Sequence, residues 1–475
     1  MKGHAMFTAQ RLAAIGALAA MAACSTDRTT APNATRLLPS TPSSAFDVGT
    51  ATNMYVVKNS SAGGVSATRS SVAALGGRVV REIKPLNVMY VDGLSDAAAE
   101  QLAATAGVTM YRDRLVQMIP TPSSFNAQFV SETGGTKAQG TDQSSAFFFN
   151  TYQWSLKVTR ANLAWTPSNG GAGETVCVLD TGVDPGHNDL VGRVNPTKAL
   201  SVIAVPRFAS DLTVLDYHFH GTFVSAQITS NGIGTASVAP NASLCALKVL
   251  SQDGGGTFGD VIFGIYYAAT LGADVINMSL GGFADINDPN NAGLLYVLQE
   301  VIDFARNRGA LVVAASGNAG LNMDDIKAAF GFIFIPSMMK NVISVGATGP
   351  LAQANFDALT SYSNFGGLGG LDLVAPGGAG GQAGGVLADY IISACSRYAF
   401  GGACAAGNRY LFGNGTSFAS PIVAGAGAVV ESNVGTMPIG KLETCILSTA
   451  KGLYPGHVFG KGRLDVRSAS LCSGK

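Results

Sequence analysis

The stretch Glu174-Thr175-Val176-Cys177-Val178-Leu179-Asp180-Thr181-Gly182 decides the fold. Its apolar residues run on without alternation and end in a carboxylate and a glycine. An unbroken run predicts a strand covered on both faces, as in a parallel sheet between two layers of helices. Similar runs recur at 243–249, 273–278, 310–315, 341–346 and 371–374. Helical patterns occupy 220–229, 258–270, 293–308, 416–431 and 438–449. The alternation predicts a three-layer α/β domain with a mostly parallel central sheet, whose sites gather at the carboxyl ends of its strands.

Several polar residues fall in that zone. Asp180 ends the first strand, and His218 and His220 stand together just before a helical run. Ala314-Ala315-Ser316-Gly317-Asn318 ends another apolar strand in a turn. Asn414-Gly415-Thr416-Ser417 opens a long run of small and apolar residues, so Ser417 lies in the first turn of a buried helix. Free backbone N–H groups and the positive end of the helix dipole favour negative charge there. Each residue alone has an ordinary use as a cap or turn residue. Together they offer a nucleophile, a base, a carboxylate to orient it and an amide to hold an oxyanion.

Composition narrows the partners. Of 475 residues only 13% are charged, against roughly 25% in ordinary soluble domains, and 60 are glycine. The 30 basic and 30 acidic residues cancel, which argues against nucleic acid as a partner. A monomer is expected.

The chain begins with an address. Lys2 and Arg11 precede an apolar run from Leu12 to Ala23, too short to span a bilayer but suited to a signal peptide over 1–23. Met21-Ala22-Ala23-Cys24 resembles the bacterial lipobox, in which the cysteine, here Cys24, becomes the lipidated first residue. A plain secretory signal is the alternative, and both readings export the chain. Residues 24–52 are rich in Ser, Thr, Pro and Asn, as in a flexible tether. Six cysteines follow. Spacing suggests that Cys395 pairs with Cys404 and Cys445 with Cys472, while Cys177 and Cys245 lie in apolar strands as buried thiols or as a further bridge.

Between 53 and 118, strand patterns at 54–57, 77–83, 88–91 and 108–111 alternate with helical ones at 65–75 and 95–106. This β-α-β-β-α-β order is the ferredoxin-like α+β pattern. Residues 119–148 return to Thr, Ser, Gly and Gln, the profile of an exposed linker, and the large domain fills 149–475.

In chain order, V-L-D-T-G-V-D from Val178, H-G-T-F-V from His220, N-M-S-L-G-G from Asn277, A-A-S-G-N-A-G from Ala314 and G-T-S-F-A-S-P from Gly415 resemble the subtilisin-like serine peptidases, or subtilases. The resemblance spans 150–466. It implies a subtilisin-like fold, a triad of Asp180, His220 and Ser417, and Asn318 as oxyanion donor. It makes 53–118 an inhibitory and chaperoning propeptide, released by self-cleavage in 119–148. It further implies that Gly254, Gly255 and Gly256 on one side, and Ser279, Leu280 and Gly281 on the other, bind an extended protein or peptide substrate. Phe258, Val261 and Leu280 would line an apolar pocket upstream of the cut. No cofactor is required; calcium remains conceivable without an assigned place, Asp189 matching a calcium ligand of some relatives. The chain departs from the family at Phe219, where glycine is usual, and at Phe223 and Ile422, where histidines are common.

Three rival readings share these residues. Asp180-Thr181-Gly182 resembles an aspartic-peptidase motif, but no second Asp-Thr-Gly or Asp-Ser-Gly occurs. His218 and His220 have the i, i+2 spacing of a metal pair on a strand. A catalytically poor, envelope-anchored binding module would keep the fold without the chemistry.

Overall fold

The computed structural model describes residues 49–122, 128–166, 168–367, 369–405, 409–435 and 437–472. The signal, Cys24 and the tether up to residue 48 lie outside the described residues.

The central sheet has seven strands, in the spatial order Leu373–Pro376, Ile343–Thr348, Leu311–Ala315, Val275–Met278, Thr175–Asp180, Ser243–Lys248 and Val194–Ser201. All neighbours pair in parallel. The unbroken apolar runs have a direct cause in the layering. Val176 and Val178 face one core, with the helices His220–Ile228 and Thr416–Val434; Cys177 and Leu179 face the other, with Phe258–Thr270 and Pro289–Asn307. Both sides of one strand are therefore buried. The seventh strand, Val194–Ser201, escapes the apolar-run test because it is a half-exposed edge holding Asn195, Pro196 and Thr197, with an irregular register.

Strand order reverses between Thr175–Asp180 and Val275–Met278. From the first the chain runs outward to one edge, returns, and then crosses to the other side. Such a reversal opens a crevice at the carboxyl ends of the two strands. Asp180 and Ser279 mark its walls.

The N-terminal unit forms an antiparallel sheet in the order Arg78–Ile83, Val88–Asp92, Thr50–Asn59 and Val108–Gln117, with helices Ala62–Ala74 and Asp96–Ala103 on one face. The other face joins the second core of the large domain through Val56, Tyr90 and Val116. Its last strand runs longer than the sequence pattern suggests and acquires a second partner, Gly255–Thr257, the fifth strand of the sheet, with Leu115 opposite Thr257 and Gln117 opposite Gly255. Buried Asp113 accepts from the N–H groups of Phe258 (3.1 Å) and Gly259 (2.9 Å), at the N-terminus of helix Phe258–Thr270. Asn290 exchanges two hydrogen bonds with the backbone of Arg112 (2.6 and 2.9 Å) at the start of helix Pro289–Asn307.

Polar composition between 119 and 148 suggests an exposed segment, but much of it is packed. Gln128–Ser131 pairs antiparallel with Arg409–Gly413, and buried Gln143 bonds Ser230 and Ser237. The polar side chains satisfy backbone groups of the large domain instead of water. Disulfides join Cys177 to Cys245, Cys395 to Cys404 and Cys445 to Cys472. Cys177 and Cys245 lie opposite each other on neighbouring strands, a register that sequence spacing does not reveal.

Candidate active site

Asp180 arrives at the crevice on the end of its strand, and His220 on the first residue of the helix His220–Ile228. Nδ1 of His220 lies 2.9 Å from Oδ1 and 3.0 Å from Oδ2 of Asp180. Both residues are buried, 2% and 1% exposed, so the carboxylate meets the imidazole with little water to screen it. A carboxylate only accepts, so Nδ1 carries the proton and Nε2 is left basic. The loop behind is held by Asp216, whose carboxylate accepts from the N–H groups of His218, Phe219 and Thr222 and from the hydroxyls of Thr181 and Thr222.

Phe219 supplies the turn before the helix at φ +104°, a left-handed conformation that costs an aromatic residue about 1–3 kcal/mol. It is fully buried and stacks on Phe400, ring centroids 5.1 Å apart, which offsets the strain by packing. Phe223 and Ile422 sit in one apolar cluster, Phe223 against Phe418 at 4.1 Å, so the two departures from the family's histidines belong to a single dry patch.

Ser417 is the second residue of helix Thr416–Val434 and is 6% exposed. Its Oγ donates to the Ser279 carbonyl (3.0 Å). The helix contains Pro421, which has no N–H to give to the carbonyl of Ser417, four residues back. The Ser279 hydroxyl takes that place, donating to Ser417 O at 2.7 Å. Thus Ser279, read from sequence as backbone edge alone, repairs the helix beneath Ser417 through its side chain. A proline four residues after the serine was the available signal.

Oδ1 of Asn318 accepts from the N–H and Oγ1 of Thr416, both at 2.9 Å. These bonds fix the amide plane, and Asn318 lines a cavity of about 310 Å³ together with Thr416, Ser417, Leu280, Gly281 and Phe334. The same cavity is lined by Gln117, Met118, Ile119 and Pro120, the residues that follow the last strand of the N-terminal unit. Their backbone extends the pairing: the N–H groups of Met118 and Ile119 both reach Gly254 O, at 3.2 and 3.3 Å. Met118 enters an apolar pocket bordered by Phe258, Val261, Leu280, Leu298 and Ile335. Gly254, Gly255 and Gly256 thus hold this segment, and Gly281 faces it across the cleft.

The two histidines part company. His220 turns to Asp180, whereas Nε2 of His218 donates to the Pro120 carbonyl (2.8 Å) and its Nδ1 has no partner. Burial, and secondly His220, push the His218 pKa down to about 4. Each ring keeps one nitrogen free of these bonds, but among the described residues the pair belongs to no group of three His, Cys, Asp or Glu ligand atoms close enough to share an ion. Asp189 is bonded at both carboxylate oxygens. Its Oδ1 accepts from the Ile233 N–H, and its Oδ2 from the Gly234 and Thr235 N–H groups and the Tyr410 and Thr235 hydroxyls.

Ser417 and Asn318 thus border a crevice occupied by extended chain, and the His220–Asp180 pair stands beside it, with the His220 ring 5.5 Å from that of Phe418, while Ser417 Oγ is bonded to the Ser279 carbonyl. The Subtilase family model matches residues 171–462, and the chain belongs to that family. Among its relatives, the thermophilic serine proteinase of Bacillus sp. (strain AK1) is 35% identical over 288 residues, 60% of this chain and 59% of that protein. Subtilisin DY of Bacillus licheniformis is 31% identical over 324 residues, 67% of this chain and 99% of that one. The crystal structure of the epidermin leader peptide processing serine protease of Staphylococcus aureus shares the fold with a TM-score of 0.68, at 24% identity, covering 88% of this chain and 97% of that one.

Proposed function

We propose that the chain is an exported serine endopeptidase that hydrolyses extended, apolar-rich protein segments and is made as a self-processing precursor. The observation that carries this reading is a cleft that holds Ser417, Asn318 and the chain's own segment 117–120, with the bonded His220–Asp180 pair reaching it through the ring of Phe418, next to Ser417.

In the proposed reaction the Ser417 hydroxyl leaves the Ser279 carbonyl, turns about its first side-chain torsion and attacks the carbonyl carbon of the scissile bond. Nε2 of His220 takes the hydroxyl proton, and Asp180 stabilises the imidazolium. The Asn318 amide and the Ser417 N–H hold the oxyanion, each such donor contributing about 3–4 kcal/mol to barrier lowering. The intermediate collapses, the C–N bond breaks, and the imidazolium gives its proton to the departing amine. Water then cleaves the acyl ester on Ser417 by the same route.

Backbone pairing with Gly254, Gly255 and Gly256 supports broad sequence tolerance, and the Met118 pocket supports a preference for an apolar residue on the amino side of the cut. The unit 53–118 is the propeptide, acting as intramolecular inhibitor, since its tail fills the cleft. Self-cleavage falls between Pro120 and Gln128, because Gln128 is already bound in another sheet. The three disulfides support an oxidising, exported location, and Cys24 is the proposed lipid anchor at the bacterial envelope.

N-terminal sequencing of purified wild type and Ser417→Ala tests the reading. Wild type should begin between residues 121 and 128, and the variant should keep residues 53–118. The same N-terminus in both proteins would sink self-processing, and a folded wild type inert toward casein would leave the envelope binding module.

A further inference from the structure

Glu174 immediately precedes strand Thr175–Asp180, and Asp274 immediately precedes Val275–Met278. These strands are paired neighbours, so the two carboxylates meet at the amino-terminal end of the sheet. Glu431, in the last turn of helix Thr416–Val434, completes the group: one ligand oxygen from each of the three lies within 4.8 Å of the others. Glu431 lies fourteen positions after Ser417 on the same helix, about 21 Å along the axis, so the cluster is remote from the cleft.

Three features make it more than a patch of surface acid. Glu431 is only 5% exposed, and its Oε2 has no hydrogen-bond partner. It sits at a helix C-terminus, where the dipole disfavours negative charge. Among the described residues, no Lys or Arg forms an ion pair with any of the three. Burial and the neighbouring carboxylates push Glu431 up to about 8 and Glu174 up to about 7. Glu431 is the buried member of the group; Glu174 and Asp274 are partly exposed and hydrogen-bond each other, and Asp274 also accepts from the Thr175 N–H (2.7 Å), yet the crowding of three carboxylates is relieved only by protons or by a cation.

We propose that Glu174, Asp274 and Glu431 form a site for a divalent cation of the calcium class, which ties the foot of the Ser417 helix to the two strands that build the crevice. Oxygens within 4.8 Å of one another can share one ion at the roughly 2.3–2.6 Å distances of calcium. An all-carboxylate set suits a hard cation, and the nearest water molecules would complete its shell.

The test uses the full chain carrying Ser417→Ala, to prevent self-digestion, stripped with chelator and titrated with calcium chloride by calorimetry and thermal melting. Glu431→Gln and Glu174→Gln are compared in that background. Each should abolish binding of one calcium ion per chain. At pH 9, above the range in which the stripped cluster takes up protons, each should also melt a few degrees higher than its parent in chelator, because one repelling charge is gone, and a few degrees lower in millimolar calcium. That inversion of sign is not the signature of simple damage to packing. Unchanged calcium stoichiometry and affinity in both variants would overturn the proposal, as would a parent whose melting ignores calcium, magnesium and manganese alike, which would mean that the cluster holds protons alone. Should Glu431→Gln fail to fold, the half-exposed Glu174→Gln decides.

Discussion

Nδ1 of His220 and Oδ1 of Asp180 are 2.9 Å apart with both side chains out of water. Asp180→Asn replaces an acceptor by an amide that also presents donors, and the imidazole loses the tautomer with a basic Nε2. The kcat toward a peptide substrate should fall roughly 10⁴-fold with KM little changed. Asn318→Ala should cost less, roughly 10²–10³-fold in kcat. Steady-state kinetics on the processed enzymes check both, and a drop under tenfold for Asp180→Asn would remove that pair from the chemistry.

Ser279 and Pro421 form a compensating pair. Ser279→Ala leaves the Ser417 carbonyl buried without a donor, at about 1–3 kcal/mol of stability. Adding Pro421→Ala restores a helical N–H to that carbonyl, so the double variant should recover part of the loss. Denaturant unfolding of the four proteins should give a coupling of about 0.5–3 kcal/mol. Strict additivity would show that the Ser279 hydroxyl does not serve the helix.

Acid should loosen the cleft segment through His218. With Pro120 in place the imidazole is held at about 4 by burial and His220, while Asp216, the Pro120 carbonyl and Asp180 pull the other way. An emptied cleft admits water and returns it toward the ordinary value of about 6.5. The occupied state thus binds fewer protons than the open one. Occupancy is favoured fully above about pH 6.5 and weakens as pH falls from there toward 4, by roughly 100-fold. The affinity of an isolated 53–120 peptide for the processed Ser417→Ala protein, measured from pH 7.5 to 4.5, should show this slope, and His218→Gln should flatten it. Parallel slopes in both would assign the effect elsewhere.

Asp113 anchors the N-terminal unit to a helix start. Asp113→Ala frees two buried N–H groups, those of Phe258 and Gly259, and hydrogen bonds to a charged acceptor contribute about 1.5–3 kcal/mol each. The inhibition constant of the released unit should rise at least tenfold, while kcat of the processed enzyme stays unchanged. An unaltered inhibition constant would deny the helix contact a share in docking.

Much of the fold was open to reading because the strands are buried on both sides. Val176, Cys177, Val178 and Leu179 need no partner to announce themselves, whereas Val194–Ser201, half in water, looks like any polar loop. The candidate site residues could be placed from sequence where they sit at the end of an element: Asp180 closes a strand, and Ser417 opens a helix. What stayed hidden depends on contacts between distant segments. The Cys177–Cys245 register, the Ser279 bond beneath Pro421 and the burial of Gln143 arise only when elements far apart in sequence meet. Phe219 marks the boundary between the two cases. Its place before His220 flagged an oddity, but its partner Phe400, which makes the left-handed turn tolerable, lies far along the chain.

The strand Gly255–Thr257 finishes a sheet begun by another unit. In the proposed processed form, without Val108–Gln117, those glycines would become a bare hem of amides and carbonyls with nothing of their own to stitch to. Any unfolded chain drifting past offers the missing thread, and so does a sister molecule. Under the proposed reading, appetite for loose polypeptide and a tendency to clump at high concentration would be two faces of one unfinished edge.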